Sequence, residues 1–335
     1  MEQIRRNLSR YRNELKGIAI LWVVFFHAHL GLDGLLYQVQ RIGYGGVDIF
    51  FFMSGFGLFY SLEKDTDLGR YLKRRAERIL PAYLPFCLLW IVVTVPMYEL
   101  GLANAARVGM SNFSMLGFLT GAPHYINWYT GALLVSLMLA PFFHAVLKKD
   151  KHYWLRALAL VTVLFAVGLG YIDDDRYMAI SRFPVFVLGM IAAGCSLERK
   201  PLRAALGALF VGAAAAVFVL YKSLDQYTEL LITYAMYWHP FVLITPALCI
   251  GLSWMASKVC SGGIKPLRYL GEASFEIFLF NAWSEVLGPE SGLMVTPLDC
   301  LIWSVGSIAA GCIYHAIVVQ TMKKWKNNRL IGWKI

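Results

Sequence analysis

Three groups of residues have the types and spacing to do chemistry. Lys16 and His27 lie eleven residues apart in one apolar stretch; at about 100° per residue they share a helical face, roughly 16 Å apart along the axis. A cation at one rim therefore points along the helix toward an imidazole deep in the apolar layer. A buried polar side chain in such a layer usually faces a cavity or a partner, so His27 reads either as a general base or proton relay, or as a packed histidine donating to a backbone carbonyl. Arg75 and Arg78, in the run Arg70-Tyr-Leu-Lys-Arg-Arg-Ala-Glu-Arg78, are three apart and present two planar forks suited to phosphate. The competing reading is that a cytoplasmic loop collects Lys and Arg as a matter of course. Asp48 stands in Gly43-Tyr-Gly-Gly-Val-Asp-Ile-Phe-Phe-Phe-Met-Ser-Gly-Phe56, at the start of another apolar stretch where a carboxylate requires a partner or water. It would either orient His27 or bind loop backbone.

Weaker candidates follow along the chain. Trp128 and Tyr129 head a fourth apolar stretch, where an aromatic belt competes with a substrate platform. Arg182 sits about a turn inside a sixth, to meet an anionic acceptor or to snorkel outward. Glu276 and Asn281 share a ninth and favour a polar interior; Asp173 to Asp175 read as a solvated outer loop, and His29, about 200° from His27, faces elsewhere.

The elements that must position these residues follow from composition. The 335 residues are 58% hydrophobic and 16% charged, with mean hydropathy +0.56; soluble chains average about a quarter charged. Several spans are required, since no long stretch of ordinary charged sequence exists. This composition excludes disorder, coiled coil, collagen and a small disulfide scaffold, and the apolar stretches, continuous instead of alternating by twos, argue against a barrel. Spans of about 20 residues are expected near 15–31, 46–62, 81–100, 124–147, 153–172, 178–197, 203–221, 233–256, 268–288 and 296–320, giving an all-α polytopic membrane protein of ten transmembrane helices. The first is read as a retained helix, because no small-residue cleavage site follows it.

Charge sets the orientation. With alternate segments assigned to one side, the tails and the loops around 63–80, 148–156, 198–203 and 257–268 hold 26 of the 31 Lys and Arg; Arg41, Arg107, Arg176, Arg182 and Lys222 hold the rest. By the positive-inside rule both termini are cytoplasmic. The net charge of +10 thus reports topology and contact with anionic lipid headgroups, without nucleic acid. Six cysteines without a C-x-x-C pair suggest neither metal nor redox chemistry. Residues 1–335 are expected to form one transmembrane domain, its chemistry done by residues on helices and short loops.

Together these segments resemble the membrane-bound acyltransferase-3 family. The first-helix pattern of a basic residue, ten intervening residues and a histidine is here Lys16 to His27, after Arg12-Asn-Glu14; the GVD-FF-SGF signature is Gly46-Val-Asp48 through Ser54-Gly55-Phe56; the R-x-x-R is Arg75 to Arg78. Fainter echoes are Trp128-Tyr129, Arg182-Phe-Pro-Val-Phe-Val-Leu-Gly189 and Leu270-Gly-Glu-Ala-Ser274-Phe-Glu-Ile-Phe-Leu-Phe-Asn281. The resemblance implies an integral-membrane acyltransferase that moves an acyl group, usually acetyl, from cytoplasmic acyl-coenzyme A to a hydroxyl of a cell-surface or lipid-linked carbohydrate. It makes His27 catalytic and Arg75 and Arg78 ligands for the donor's phosphates; beside these, Asp48 is a second catalytic candidate, Lys16 a further donor-binding one, and Trp128, Tyr129 and Arg182 are candidates for the acceptor. No bound cofactor or metal is expected, acetyl-coenzyme A being a substrate, and the expected location is a cell membrane, read as a bacterial cytoplasmic one. Two departures stand out: Asn281 replaces a frequent histidine, and Lys16 replaces a commoner arginine, keeping charge but losing the bidentate fork. The rival reading is a proton-coupled secondary transporter using His27, Asp48 and Glu276, although no internal repeat supports it.

Overall fold

A computed structural model describes residues 2–122, 124–147, 152–171, 176–194, 199–226, 238–260, 262–286 and 296–332; side chains at 199–202, 225–226, 285 and 328–332 are outside the description. The acidic loop Asp173 to Asp175, Cys195, the lysines at 148–151 and the start of the expected span at 233–256 fall outside the described residues. Every regular element among the described residues is helical. In chain order these are α1 (Glu2–Arg10), α2 (Arg12–Phe26), α3 (Gly34–Arg41), α4 (Gly45–Lys64), α5 (Leu68–Met97), α6 (Leu102–Phe113), α7 (Trp128–Val146), α8 (Tyr153–Leu169) and α9 (Tyr177–Ile180). Next come α10 (Phe183–Gly194), α11 (Arg199–Gln226), α12 (Phe241–Val259), α13 (Lys265–Glu272), α14 (Ser274–Asn281), α15 (Trp283–Val286) and α16 (Pro297–Gly332). Seven helical stretches are long and apolar enough to cross a bilayer, and the chain is a multi-pass membrane protein.

The remaining expected spans differ from simple rods. The first is α2, whose 15 residues end at Phe26, so that His27 sits at the helix end and the chain leaves through His29 at φ +42°. The fifth is α8, 17 residues long. The ninth is broken into α13, α14 and α15 at Ala273 and Ala282. No proline makes these breaks. Ser274 and Ser284 instead donate their hydroxyls to the carbonyls of Gly271 and Asn281, closing local turns at the junctions.

Three further helical regions lie where loops were expected. The basic segment 63–80 is helical from Leu68, because Asp67 caps α5 by accepting from the Arg70 amide at 2.6 Å. The long segment 101–123 contains α6. The chain after Val319 continues as α16, whose 36 residues extend about 54 Å at 1.5 Å per residue, well beyond roughly 30 Å of hydrocarbon.

Helix α4 lies at the centre, with residues such as Ile49, Phe51 and Phe52 fully buried, and packs against α2 and α10. Glycines allow the approach. A Cβ on Gly55 would clash with the Phe186 carbonyl and one on Gly189 with the Phe52 carbonyl, so α4 and α10 touch backbone to backbone, the packing that small residues permit where water cannot drive association. A Cβ on Gly271 would likewise clash with Asn13 of α2, and one on Gly17 with Leu267 of α13. This contact runs α13–α14 alongside α2 and brings Asn281 to the level of His27.

Candidate active site

The basic residues of α5 separate into two groups. At about 100° per residue, Arg70 and Arg74 lie only about 40° apart, whereas Arg75 lies about 140° from Arg70. Asp65 collects the first two: Arg70 donates from Nε and Nη2 at 3.0 Å, and Arg74 from Nη1 at 2.7 Å. The two guanidiniums hold the Asp65 carboxyl well below the usual carboxylate range, so this clamp stays ionised at neutral pH. Arg75 and Arg78 instead line a cavity of about 680 Å³. Arg75 donates to Ser61 Oγ at 3.0 Å, and its buried Nε makes no hydrogen bond among the described residues.

That cavity is cationic at one end and apolar at the other. Arg12, Lys16, Arg75, Arg78, Lys323 and Lys326 line it, together with Glu77 and Glu272; on α4, Phe50 lies eleven residues, about 16 Å by helix rise, from Ser61, the partner of Arg75, and Met53, Leu133, Leu137, Tyr129 and Phe278 complete the apolar lining. Lys16 is therefore placed beside Arg75 and Arg78. The lysines of α16 were not singled out in the sequence, where they read only as a basic tail.

His27 lies in a second, smaller cavity of about 40 Å³, lined by Tyr44, Val47, Asn127, Trp128, Phe278 and Asn281 among others. Its Nδ1 is 3.0 Å from the Val23 carbonyl and 2.8 Å from the Asn281 amide. A carbonyl can only accept, while an asparagine amide can be turned over, so the consistent assignment is Nδ1–H shared between Val23 O and Asn281 Oδ1. That tautomer leaves the lone pair on Nε2. The backbone-carbonyl contact of the packed-histidine reading is thus present, and it is compatible with a base at the other nitrogen.

Phe278 lines both cavities. Its ring packs against Tyr129 with centroids 4.6 Å apart, and Tyr129 also meets Phe51 at 5.6 Å. Trp128 and Tyr129 therefore do not form one platform: Trp128 faces the His27 cavity and Tyr129, 6% exposed, walls the large one.

Asp48 has a partner other than those the sequence suggested. It is 1% exposed and pairs with Arg182, equally buried, through Oδ1 and Nε 3.6 Å apart. Arg182 does not snorkel. Its guanidinium stands over the rings of Tyr44, Trp128 and Trp238 at 5.9, 5.2 and 5.6 Å and donates to Ser181 Oγ at 2.8 Å. The pair joins α4 to the segment between α9 and α10, with cation–π contacts compensating part of its desolvation. Since Tyr44 and Trp128 also line the His27 cavity, Asp48 and Arg182 shape that cavity from behind.

Glu276 faces the large cavity and has His315 Nδ1 3.1 Å from its Oε1. Sequence reasoning missed His315, although the signal was the one that marked His27, an imidazole inside an apolar span. Among the described residues no group of three or more His, Cys, Asp or Glu is arranged to hold a metal ion.

The acyltransferase domain that defines the acyltransferase-3 family matches residues 13–315, a stretch that begins just before Lys16 and ends on His315. The chain belongs to the acyltransferase-3 family. No curated protein and no solved structure matches it. It is a membrane acyltransferase, and both cavities lie within the matched domain apart from Arg12 and the distal part of α16. One consequence for the acyltransferase concerns Asn281: Asn281→Leu should lower kcat about ten- to a hundred-fold through loss of imidazole orientation, with the donor KM unchanged. Steady-state kinetics that show KM rising at constant kcat would give Asn281 a binding role instead.

Proposed function

We propose that this acyltransferase takes an acyl group, with acetyl the preferred one, from cytoplasmic acyl-coenzyme A and places it on a hydroxyl of a cell-surface or lipid-linked carbohydrate. The observation that carries the reading is the single aromatic layer, Phe278 against Tyr129, between a cation-mouthed cavity and the His27 cavity. A donor with phosphates at one end and a thioester at the other matches the cavity's polarity: phosphates at Arg75, Arg78 and Lys16, reactive carbon toward Phe278. The basic end faces the cytoplasm by the charge bias, where acyl-coenzyme A is made, and the setting is the cell membrane.

In the reaction, His27 Nε2 accepts the proton of the acceptor hydroxyl as its oxygen attacks the thioester carbonyl. The carbon–sulfur bond then breaks, and the coenzyme A thiolate leaves and takes up a proton, so that ester and free thiol are the products. The Val23 carbonyl and Asn281 hold the ring. Asp48 and Arg182 act through the cavity wall and have no assigned contact with reacting atoms.

Phe278 must give way for thioester and hydroxyl to meet. Phe278→Trp should leave coenzyme A binding within about two-fold, because the phosphate sites are at the far end, yet reduce transfer about a hundred-fold by misplacing the reacting carbon. Equal loss of binding and transfer would move the donor's thioester elsewhere. The reading as a whole is tested with purified protein in liposomes, given labelled acetyl-coenzyme A and a panel of hydroxylated glycans. Label on glycan supports it; solute uptake without label transfer would favour a transporter.

A further inference from the structure

We infer that Glu276 and His315 form the subsite that holds the amide-bearing arm of the donor, midway between its phosphates and its thioester. The inference rests on the proposed coenzyme A donor. Glu276 and His315 line the large cavity together with Lys16, Arg78 and Phe278. The depth of the pair follows from the register of α13–α14 against α2: Gly271 abuts Asn13 and Gly17, Asn281 meets His27, and Glu276 is five residues from each, about 7.5 Å by helix rise.

The two side chains come from different helices, α14 and α16, and are largely withdrawn from solvent, at 8% and 17% exposure. Nδ1 and Oε1 are 3.1 Å apart, so the two side chains pair with each other. That pair occupies one carboxylate oxygen, and a polar segment of a ligand passing this level would meet the other. An ionised carboxylate can only accept, so it selects an N–H or O–H, while the imidazole supplies a complementary ring nitrogen. The pantetheine arm of coenzyme A carries two secondary amides and a hydroxyl in the stretch that links pyrophosphate to sulfur. A fatty chain or a bare hydrocarbon would leave the pair unmet.

The test needs no acceptor. Displacement of labelled coenzyme A from the full chain in detergent is followed with three competitors: unlabelled coenzyme A, pantetheine, and adenosine 3′,5′-bisphosphate, which carries the phosphates without the arm. Glu276→Leu and His315→Leu should weaken coenzyme A and pantetheine about ten-fold or more, the loss expected for a hydrogen bond to a charged group, and leave the bisphosphate unchanged. Glu276→Gln and His315→Gln should retain most pantetheine affinity, since both keep hydrogen-bonding atoms. Wild-type-like pantetheine affinity in the leucine variants would overturn the subsite while coenzyme A binding by the wild type preserves the donor reading. Parallel loss of all three competitors in leucine and glutamine variants would also overturn it, making the pair a tie between α14 and α16. A wild type that binds none of the three would remove donor and subsite together.

Discussion

His27→Ala should lower acyl transfer by about a hundred- to ten-thousand-fold, the usual contribution of a positioned general base. Folding and insertion should be nearly intact, because the ring's partners can do without it: the Val23 carbonyl also accepts the His27 backbone amide at 3.3 Å, and the Asn281 amide lies at the cavity wall. The comparison is between initial rates at saturating donor and the elution profile and thermal midpoint in detergent. Loss of folded protein in step with loss of rate would reduce His27 to a packing residue. Full activity would take it out of the mechanism.

Arg75→Ala combined with Arg78→Ala is the other large effect. Each removes a charge-assisted phosphate contact of about 1.5 to 3 kcal/mol, so each should weaken coenzyme A about ten-fold or more, with the double variant weaker still. Pantetheine binding should hardly change. Arg70→Ala and Arg74→Ala, by contrast, should act only through the Asp65 clamp and leave donor affinity near wild type. If all four variants behaved alike, or if they changed membrane topology without changing affinity, the arginines would be serving orientation alone.

What the sequence disclosed depended on how local each signal was. Hydropathy and the charge bias are sums over neighbouring residues, and they located helices in all ten expected spans. The broken ninth span was hidden, since Ala273 and Ala282 are ordinary helix formers and the breaks come from serine hydroxyls and from α13–α14 lying against α2. Within α5 five basic residues were visible as a run, but which of them face the cavity depends on Asp65, five residues before Arg70 and across a helix cap. The Asp48–Arg182 pair spans 134 positions, and nothing local to either residue foretells the other. His27 and Lys16 were legible because one helix carries both. That Phe278 borders both cavities, and that Tyr129 and Trp128 part company, are consequences of three-dimensional packing alone.

In the proposed reaction donor and acceptor meet at His27 across the Phe278 layer, with the donor entering from the basic, cytoplasmic end. Sealed vesicles of known orientation test it most directly. Labelled acetyl-coenzyme A supplied at the face bearing Arg75, Arg78 and Lys323 should support transfer, while the same donor supplied only at the opposite face should give none, and His27→Ala should abolish the signal from either side. Transfer supported by donor at the opposite face would contradict both the sidedness and the path through the large cavity.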